Sequence, residues 1–188
     1  MSPSADGEPD DDPASISEGP DEVREVFRGR YAHVVVESWP GREYEYVRRV
    51  GPARAGAVAI VPITREGVVL LVRQFREPIR RRLLEIPAGL RDVEGEPPEA
   101  CAERELLEET GHRADAIERL GEFYSSAGLT DERYILYLAG ARAAASTAPE
   151  AGIEVVRLPL TAALDAVRTG QIEDAKSALG LLLANGRG

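Results

Sequence analysis

The sequence predicts a mixed β-sheet carrying few helices, a domain of the α/β or α+β class. Three observations lead there. Apolar and β-branched residues run in short stretches at 23–36, 44–50, 56–63, 68–72, 83–86, 117–124, 134–139 and 154–158, with the lengths of strands. Helical spacing is confined to 97–110, 161–169 and 172–185. No segment repeats, and 188 residues suffice for one domain with a real core, or for such a domain plus a small extension.

Composition narrows the function before any motif is considered. No run of about 18 apolar residues occurs, so no membrane-spanning helix is expected. The N-terminus lacks a basic segment followed by an apolar one, so no signal peptide is expected. A single cysteine, Cys101, cannot form an intramolecular disulfide and fits a reducing cytoplasm. The net charge of −10 belongs mainly to the N-terminus: residues 1–22 hold eight acidic side chains and no Lys or Arg. The remainder carries 25 acidic against 23 basic residues, which is no footprint for nucleic acid.

Along the chain, residues 1–20 are rich in Pro, Gly, Ser and Asp and have too little apolar surface to order themselves. Residues 21–52 predict a small N-terminal β region, a hairpin or small sheet turning at Trp39-Pro40-Gly41-Arg42. From 53 to 188 a second unit is expected. It opens with Gly56-Ala57-Val58-Ala59-Ile60-Val61-Pro62-Ile63, whose continuous apolar character suits a strand covered on both faces. Thr64-Arg65-Glu66-Gly67 predicts a turn, 68–72 a strand halted beyond Arg76 by Pro78, and 83–86 a strand entering a Pro87-Ala88-Gly89 loop. Pro97-Pro98 starts a helix and Gly111 ends it. Strands at 117–124 and 134–139, a small-residue loop at 140–152, a strand at 154–158, a short helix and a last amphipathic helix complete the chain.

The helix between Pro98 and Gly111 carries the chemistry. Glu105, Glu108 and Glu109 stand three and four residues apart and share one helix face. Like charges at that spacing repel, so the face is either a solvated surface or a site for something positive. Converging carboxylates make an all-oxygen site suited to Mg²⁺ or Mn²⁺ rather than to zinc, and with only His33 and His112 a histidine-based centre is all but excluded. A cation held by few protein carboxylates completes its shell with water and substrate phosphates.

Gly89, Glu96 and Arg104-Glu105-Leu106-Leu107-Glu108-Glu109-Thr110-Gly111 together resemble the Nudix signature, G-x5-E-x7-R-E-U-x-E-E-x-G-U, where U is a bulky aliphatic residue. Seven residues separate Glu96 from Arg104, as in the pattern. Two departures stand out: six residues rather than five lie between Gly89 and Glu96, and His112 fills the last aliphatic position. Gly56-Ala57-Val58-Ala59-Ile60-Val61-Pro62, Leu71-Val72-Arg73-Gln74-Phe75-Arg76, Leu84-Glu85-Ile86-Pro87-Ala88-Gly89 and Ile172-Glu173-Asp174-Ala175-Lys176 are similar to the ADP-ribose pyrophosphatase branch, with a loop like the longer versions of actinobacterial members. The resemblance spans about residues 45–185. It implies an α/β/α sandwich whose N-terminal strands form a dimerisation region, often exchanged between the subunits of a homodimer.

The same resemblance implies roles. Glu105, Glu109, Glu108 and the Ala88 carbonyl match the metal ligands, and Arg104 matches the arginine that orients these carboxylates. Glu96 matches a residue that fixes the loop. Arg76 and Arg73 lie where the branch contacts the diphosphate or ribose, and a planar guanidinium suits phosphate oxygens. Glu85 and Glu132 match acidic positions of the substrate cleft; a strand-edge ion pair and a turn charge are their structural alternatives. The implied reaction is Mg²⁺-dependent hydrolysis, with Mn²⁺ as a possible substitute, of a nucleoside diphosphate sugar. ADP-ribose, giving AMP and ribose 5-phosphate, is the foremost substrate. A glutamate in a later loop serves as base. Glu150 is the only carboxylate of 140–152 and takes that role, with Glu108 and Glu154 as alternatives.

Specificity is less defined. The branch carries a Ser-Pro-Gly-like element after the signature, where this chain has Ser125-Ser126-Ala127-Gly128. Another nucleoside diphosphate sugar, an oxidised nucleotide, or a nucleotide-sensing domain without turnover remain alternatives. Trp39, with Tyr44 and Tyr46, either stacks on the base, within a subunit or across a dimer, or packs the dimer interface. Cys101 is expected to pack on the signature helix, and Lys176 to tie down the last helix.

Overall fold

The computed structural model describes residues 19–143 and 150–187. The acidic segment 1–20 therefore lies almost wholly outside the described residues, as do residues 144–149 of the loop expected at 140–152.

The run 23–36 does not make one strand. It breaks into β1 (Glu22–Arg28) and β2 (Ala32–Trp39), and β3 (Arg42–Arg49) follows, so of the expected hairpin or small sheet it is the sheet that forms, three-stranded and antiparallel in the order β1-β2-β3. The break falls at Gly29, whose amide donates to the Ala32 carbonyl at 2.9 Å. A Cβ there would stand 2.9 Å from that same oxygen, so only glycine closes this turn without a shift.

The second sheet has seven strands. β4 (Ala57–Thr64), β5 (Val68–Arg76), β8 (His112–Tyr124), β9 (Arg133–Ala143) and β10 (Glu154–Pro159) lie in the order β10-β5-β4-β9-β8. Only β4 and β9 run parallel; the other neighbours are antiparallel. Alternation along β4 shows why its sequence is apolar throughout. Val58 and Ile60 pack with Cys101, Ala102 and Leu106 of α1 (Pro98–Thr110), whereas Ala59 and Val61 pack with residues of α2 (Leu160–Arg168) and α3 (Ala175–Asn185). Helices thus cover both faces, and the architecture is an α/β/α sandwich.

The site depends on a break in this sheet. β4 and β5 share a single partner pair, Ile63↔Val69. Beyond it they part, and each takes a short strand of its own: β6 (Arg81–Glu85) pairs with β5, and β7 (Ala88–Leu90) pairs with β4. The Pro87 carbonyl accepts from the Ile60 amide at 2.9 Å and anchors the crossing between them. β7 replaces the loop expected at Pro87-Ala88-Gly89, because three residues give too short a run to register as a strand by pattern.

α1 begins at proline and ends where Gly111, at φ +69°, donates its amide to the Leu107 carbonyl at 2.9 Å. β9 extends four residues beyond its expected end at 139. α3 starts at Ala175 rather than 172 because the Asp174 carboxylate accepts from the Ser177 amide at 2.9 Å and caps it. Leu106 is fully buried between α1 and β4. Leu106→Ala should destabilise the fold by about 2–5 kcal/mol, as read from the midpoint of a urea unfolding curve.

Candidate active site

α1 places its acidic face against β7, and Arg104 holds that face together. Its Nε and Nη2 donate to the two oxygens of Glu96 at 3.0 and 3.1 Å. Nη1 donates to Glu105 at 2.7 Å and to Glu108 at 3.0 Å. One guanidinium thereby links the loop residue Glu96 to two carboxylates of the helix, a geometry that a lysine ammonium could not supply. Hydrogen bonding from Arg104 lowers the pKa of Glu96. Glu96 likewise leads the groups that raise that of Arg104.

Glu105 and Glu109 are buried, Glu109 to 5% exposure, whereas the Glu108 side chain is half exposed. The Glu105 carboxylate lies over the Cα of Gly89: a Cβ there would stand 2.0 Å from its Cδ. Glu109 accepts from the Ala88 amide at 3.1 Å, its one hydrogen bond among the described residues. Burial raises both carboxyl pKa values. Glu109 is pushed up to about 8, with the Ala88 amide and Arg76 opposing and the charges of Glu105 and Glu150 reinforcing.

Across β7 lies a cavity of about 660 Å³ between the parted strands. Arg76, Glu85, Glu132, Ser125, Arg49, Asp174 and Lys176 supply its charged and polar groups, and Ile79, Leu83 and Tyr134 part of its apolar wall. Glu85 is buried to 1% exposure. Arg76 donates through Nε and Nη2 to its two oxygens at 2.6 Å each, and Lys176 donates to Oε2 at 2.5 Å. Burial alone would raise the Glu85 pKa, but these two cations overcome it and hold it below the usual value. Glu132 meets Arg49 at 3.1 Å.

Of the residues expected at the site, the structure brings Ala88, Arg104, Glu105, Glu108 and Glu109 together, and sets Arg76, Glu85 and Glu132 in the adjoining cavity. Glu150 joins the first group: its amide donates to the Glu108 carbonyl at 2.9 Å, and its charge reaches Glu109. Arg73 does not line the cavity. It lies three residues from Arg76 on a strand of period two, hence on the opposite face, and meets Glu154 at 3.4 Å. Trp39 also stands apart, at the end of β2 in the N-terminal sheet with the Arg42 guanidinium 5.7 Å from its ring. Tyr46 donates to Glu37 at 2.8 Å and Tyr44 is exposed. Cys101 is buried in the core, with its thiol pushed up to about 12 by desolvation, and has the environment of a packing residue.

Two cavity residues escaped the sequence. Arg49 is brought in because β3 docks on the segment before β9: the Val47 amide donates to the Leu129 carbonyl at 2.8 Å and the Arg49 amide to Asp131 at 2.7 Å. No local pattern announces such a contact. Lys176 does tie down α3, through Glu85 of β6 at 2.5 Å, yet it also faces the cavity. Its being the sole lysine among many arginines was the available signal.

Among the described residues no group of three or more His, Cys, Asp or Glu side chains is already arranged as a metal cage. The donor chemistry nevertheless suits a hard divalent cation. Glu105 and Glu109 are buried oxygen donors with raised pKa values, meaning that their charge is under-compensated as they stand.

A mixed sheet between helices, with an acidic helix packed beside a cleft lined by three cations and three carboxylates, defines the Nudix type of α/β/α sandwich. The sequence profile of the NUDIX domain matches residues 53–178. The chain is 35% identical over 158 residues to the ADP-ribose pyrophosphatase of Bacillus subtilis (strain 168), covering 82% of this chain and 85% of that protein. It is 32% identical to the methanol dehydrogenase activator of Bacillus methanolicus, over 84% and 86% of the two chains. It is also 35% identical to the GDP-mannose pyrophosphatase of Yersinia pestis (strain Pestoides F), over 73% and 74%. A solved structure described as an ADP compounds hydrolase superposes with a TM-score of 0.74 at 24% identity, covering 90% of this chain and 94% of that one, which speaks to the fold. The chain belongs to the Nudix family and is a Nudix hydrolase.

The raised Glu109 pKa has a consequence for stability. The unfolded carboxyl releases its proton near 4.5 and the folded one at about 8, so between these values the folded state holds more protons and stability falls as pH rises. In cation-free protein, Glu109→Gln should remove this loss and melt at or above the wild type at pH above about 8, the difference shrinking towards about pH 5. Melting curves at the two pH values, with and without Mg²⁺, check this; added Mg²⁺ should raise the wild type more than the variant.

Proposed function

We propose that this hydrolase cleaves the diphosphate bond of a nucleoside diphosphate sugar, foremost ADP-ribose to AMP and ribose 5-phosphate, with Mg²⁺ and, as a substitute, Mn²⁺. The observation that carries the reading is the juxtaposition, across Ala88-Gly89, of two buried carboxylates and a cavity containing Arg76, Lys176 and Arg49. A diphosphate spanning the two regions would meet guanidinium and ammonium donors on one side and the acidic helix on the other. The names of two relatives, an ADP-ribose and a GDP-mannose pyrophosphatase, support this substrate class.

In this reading Glu105, Glu109, Glu108 and the Ala88 carbonyl hold the cation, and Arg104 keeps the helix carboxylates oriented. The bound cation neutralises diphosphate charge and lowers the pKa of water. Arg76 binds the diphosphate, Glu132 and Glu85 shape the cleft, and Glu150 orients the attacking water and accepts its proton. The water oxygen bonds to one phosphorus as the bridging P–O bond breaks. Glu150 is favoured over its alternatives because Glu108 already bonds Arg104 and Glu154 faces Arg73. Ala127, in place of the proline of the ADP-ribose branch, keeps GDP-mannose as the second reading.

Residues 53–188 form the hydrolase domain in this proposal and residues 21–52 a dimerisation region, packed against or exchanged between subunits. Val23, Val26, Phe27, Tyr31 and Tyr44 are exposed on that region and support a homodimer, with Trp39 serving the interface or a base. A cytoplasmic setting accords with the free Cys101.

With Mg²⁺, ADP-ribose should yield AMP and ribose 5-phosphate faster than GDP-mannose yields its products, by chromatography of both reactions. A reversed preference selects the second reading, and no turnover of any nucleoside diphosphate sugar overturns the class. Glu109→Gln should abolish the activity. Glu150→Gln should lower kcat about 100-fold if it is the base; an unchanged kcat moves that role elsewhere.

A further inference from the structure

We propose that His112 is a positioning residue for Glu150: with Arg157 it forms a strut that ties β10 to the last turn of α1 and so fixes where the Glu150 carboxylate stands. The inference rests on the hydrolase reading above, in which Glu150 is the base. It gives a task to the residue that departs from the aliphatic end of the signature.

The His112 ring is buried and held at both nitrogens. Nδ1 stands 2.7 Å from the Thr110 carbonyl oxygen, and Nε2 stands 3.1 Å from Nη2 of Arg157. A carbonyl only accepts and a guanidinium only donates, so Nδ1 carries the proton and Nε2 accepts. An aliphatic side chain could fill this space but could not join the two groups. Thr110 is locked in turn: its buried hydroxyl donates to the Leu106 carbonyl at 2.6 Å and accepts from the His112 amide at 3.2 Å. Arg157 is exposed, yet among the described residues it meets no carboxylate, unlike Arg73, Arg81 and Arg142. Its partner there is the histidine ring.

Topology carries this contact to the site. Arg157 lies on β10, an edge strand paired with β5 alone. The segment leading into β10 starts at Glu150, in a turn where the Ile153 amide donates to the Glu150 carbonyl at 3.2 Å. The Glu150 amide donates to the Glu108 carbonyl at 2.9 Å. Residues 150–157 are therefore fastened to the last turn of α1 at both ends, to Glu108 directly and to Thr110 through His112. One attachment would leave the segment free to swing about it; two fix its direction. Glu108 and Glu109 belong to that same turn, so the proposed base and the proposed cation ligands share one frame. Capping of the terminal helix carbonyls also stabilises α1, so a test has to separate placement from stability.

Wild type, His112→Leu and His112→Gln should be compared in two measurements: hydrogen exchange of single backbone amides in cation-free protein by NMR, and kcat and KM for ADP-ribose with Mg²⁺. Leucine supplies the aliphatic residue of the signature without either hydrogen bond, whereas glutamine keeps a donor and an acceptor. In His112→Leu the Glu150 amide should exchange about 10-fold faster, and the core amide of Ile60 should change less. The kcat of His112→Leu should fall about 10-fold with KM within about 2-fold, and His112→Gln should recover much of both losses. Added to Glu150→Gln, His112→Leu should lower kcat little further, because the base it positions is already gone. If His112→Leu fails to fold, by its melting curve, Arg157→Met cuts the strut from its exposed end and should give the same results. Glu150 exchange equal to wild type, an unchanged kcat, or a full further fall in the double variant overturns the proposal. Should the wild type hydrolyse no nucleotide sugar, or Glu150→Gln keep full kcat, the functional reading fails by itself, and faster Glu150 exchange in His112→Leu still supports the strut.

Discussion

The structure depends on how it carries two carboxylates out of water on one helix. A desolvated carboxylate without a counter-charge costs several kcal/mol or takes up a proton instead. Glu105 and Glu109 meet this cost with few partners: Arg104 for the first, the Ala88 amide for the second. The raised pKa of Glu109 measures what those partners leave uncompensated. Stability alone would favour apolar residues at both positions. The proposed cation site accounts for their presence, and the neighbouring features are arranged around them.

Gly89 is the clearest of these. Its bare Cα is the floor on which Glu105 rests, and the strand that bears it exists because β4 and β5 part after one shared pair. A fully zipped sheet would have left no room for β7 and no cleft. The fully buried Leu106, three residues before Glu109 on the same buried side of α1, presses the helix onto β4 while Glu105 and Glu109 meet β7. Packing and chemistry thus share the buried side of one helix.

Much of this was legible in the residues. β4 is a continuous apolar run because helices cover both its faces, and α1 has proline and glycine at its ends, so both were located closely. The acidic helix was found because its spacing is local. What escaped was non-local or too short. β7 is three residues long and has no period to detect, the turn at Gly29 split an apolar run that reads as unbroken, and Arg49 reaches the cleft only through pairing with 129–131. Arg73 shows a different failure. It sits in the same motif as Arg76, but strand alternation turns it to the other face, where it meets Glu154. Sequence similarity marked the segment, and the period of two decided between its arginines.

The docking of β3 beside the cleft bears on where the boundary of the enzyme lies. The Val47 amide and the Arg49 amide are held by the segment that leads into β9, and the Arg49 side chain then completes a wall of the cavity through Glu132. One wall is consequently borrowed from a sheet that the NUDIX profile, beginning at residue 53, does not include. A displacement of the small sheet would shift Arg49 along with it, so molecular events at the periphery have a mechanical route to the chamber. The unit that walls the cavity is larger than the unit that carries the signature.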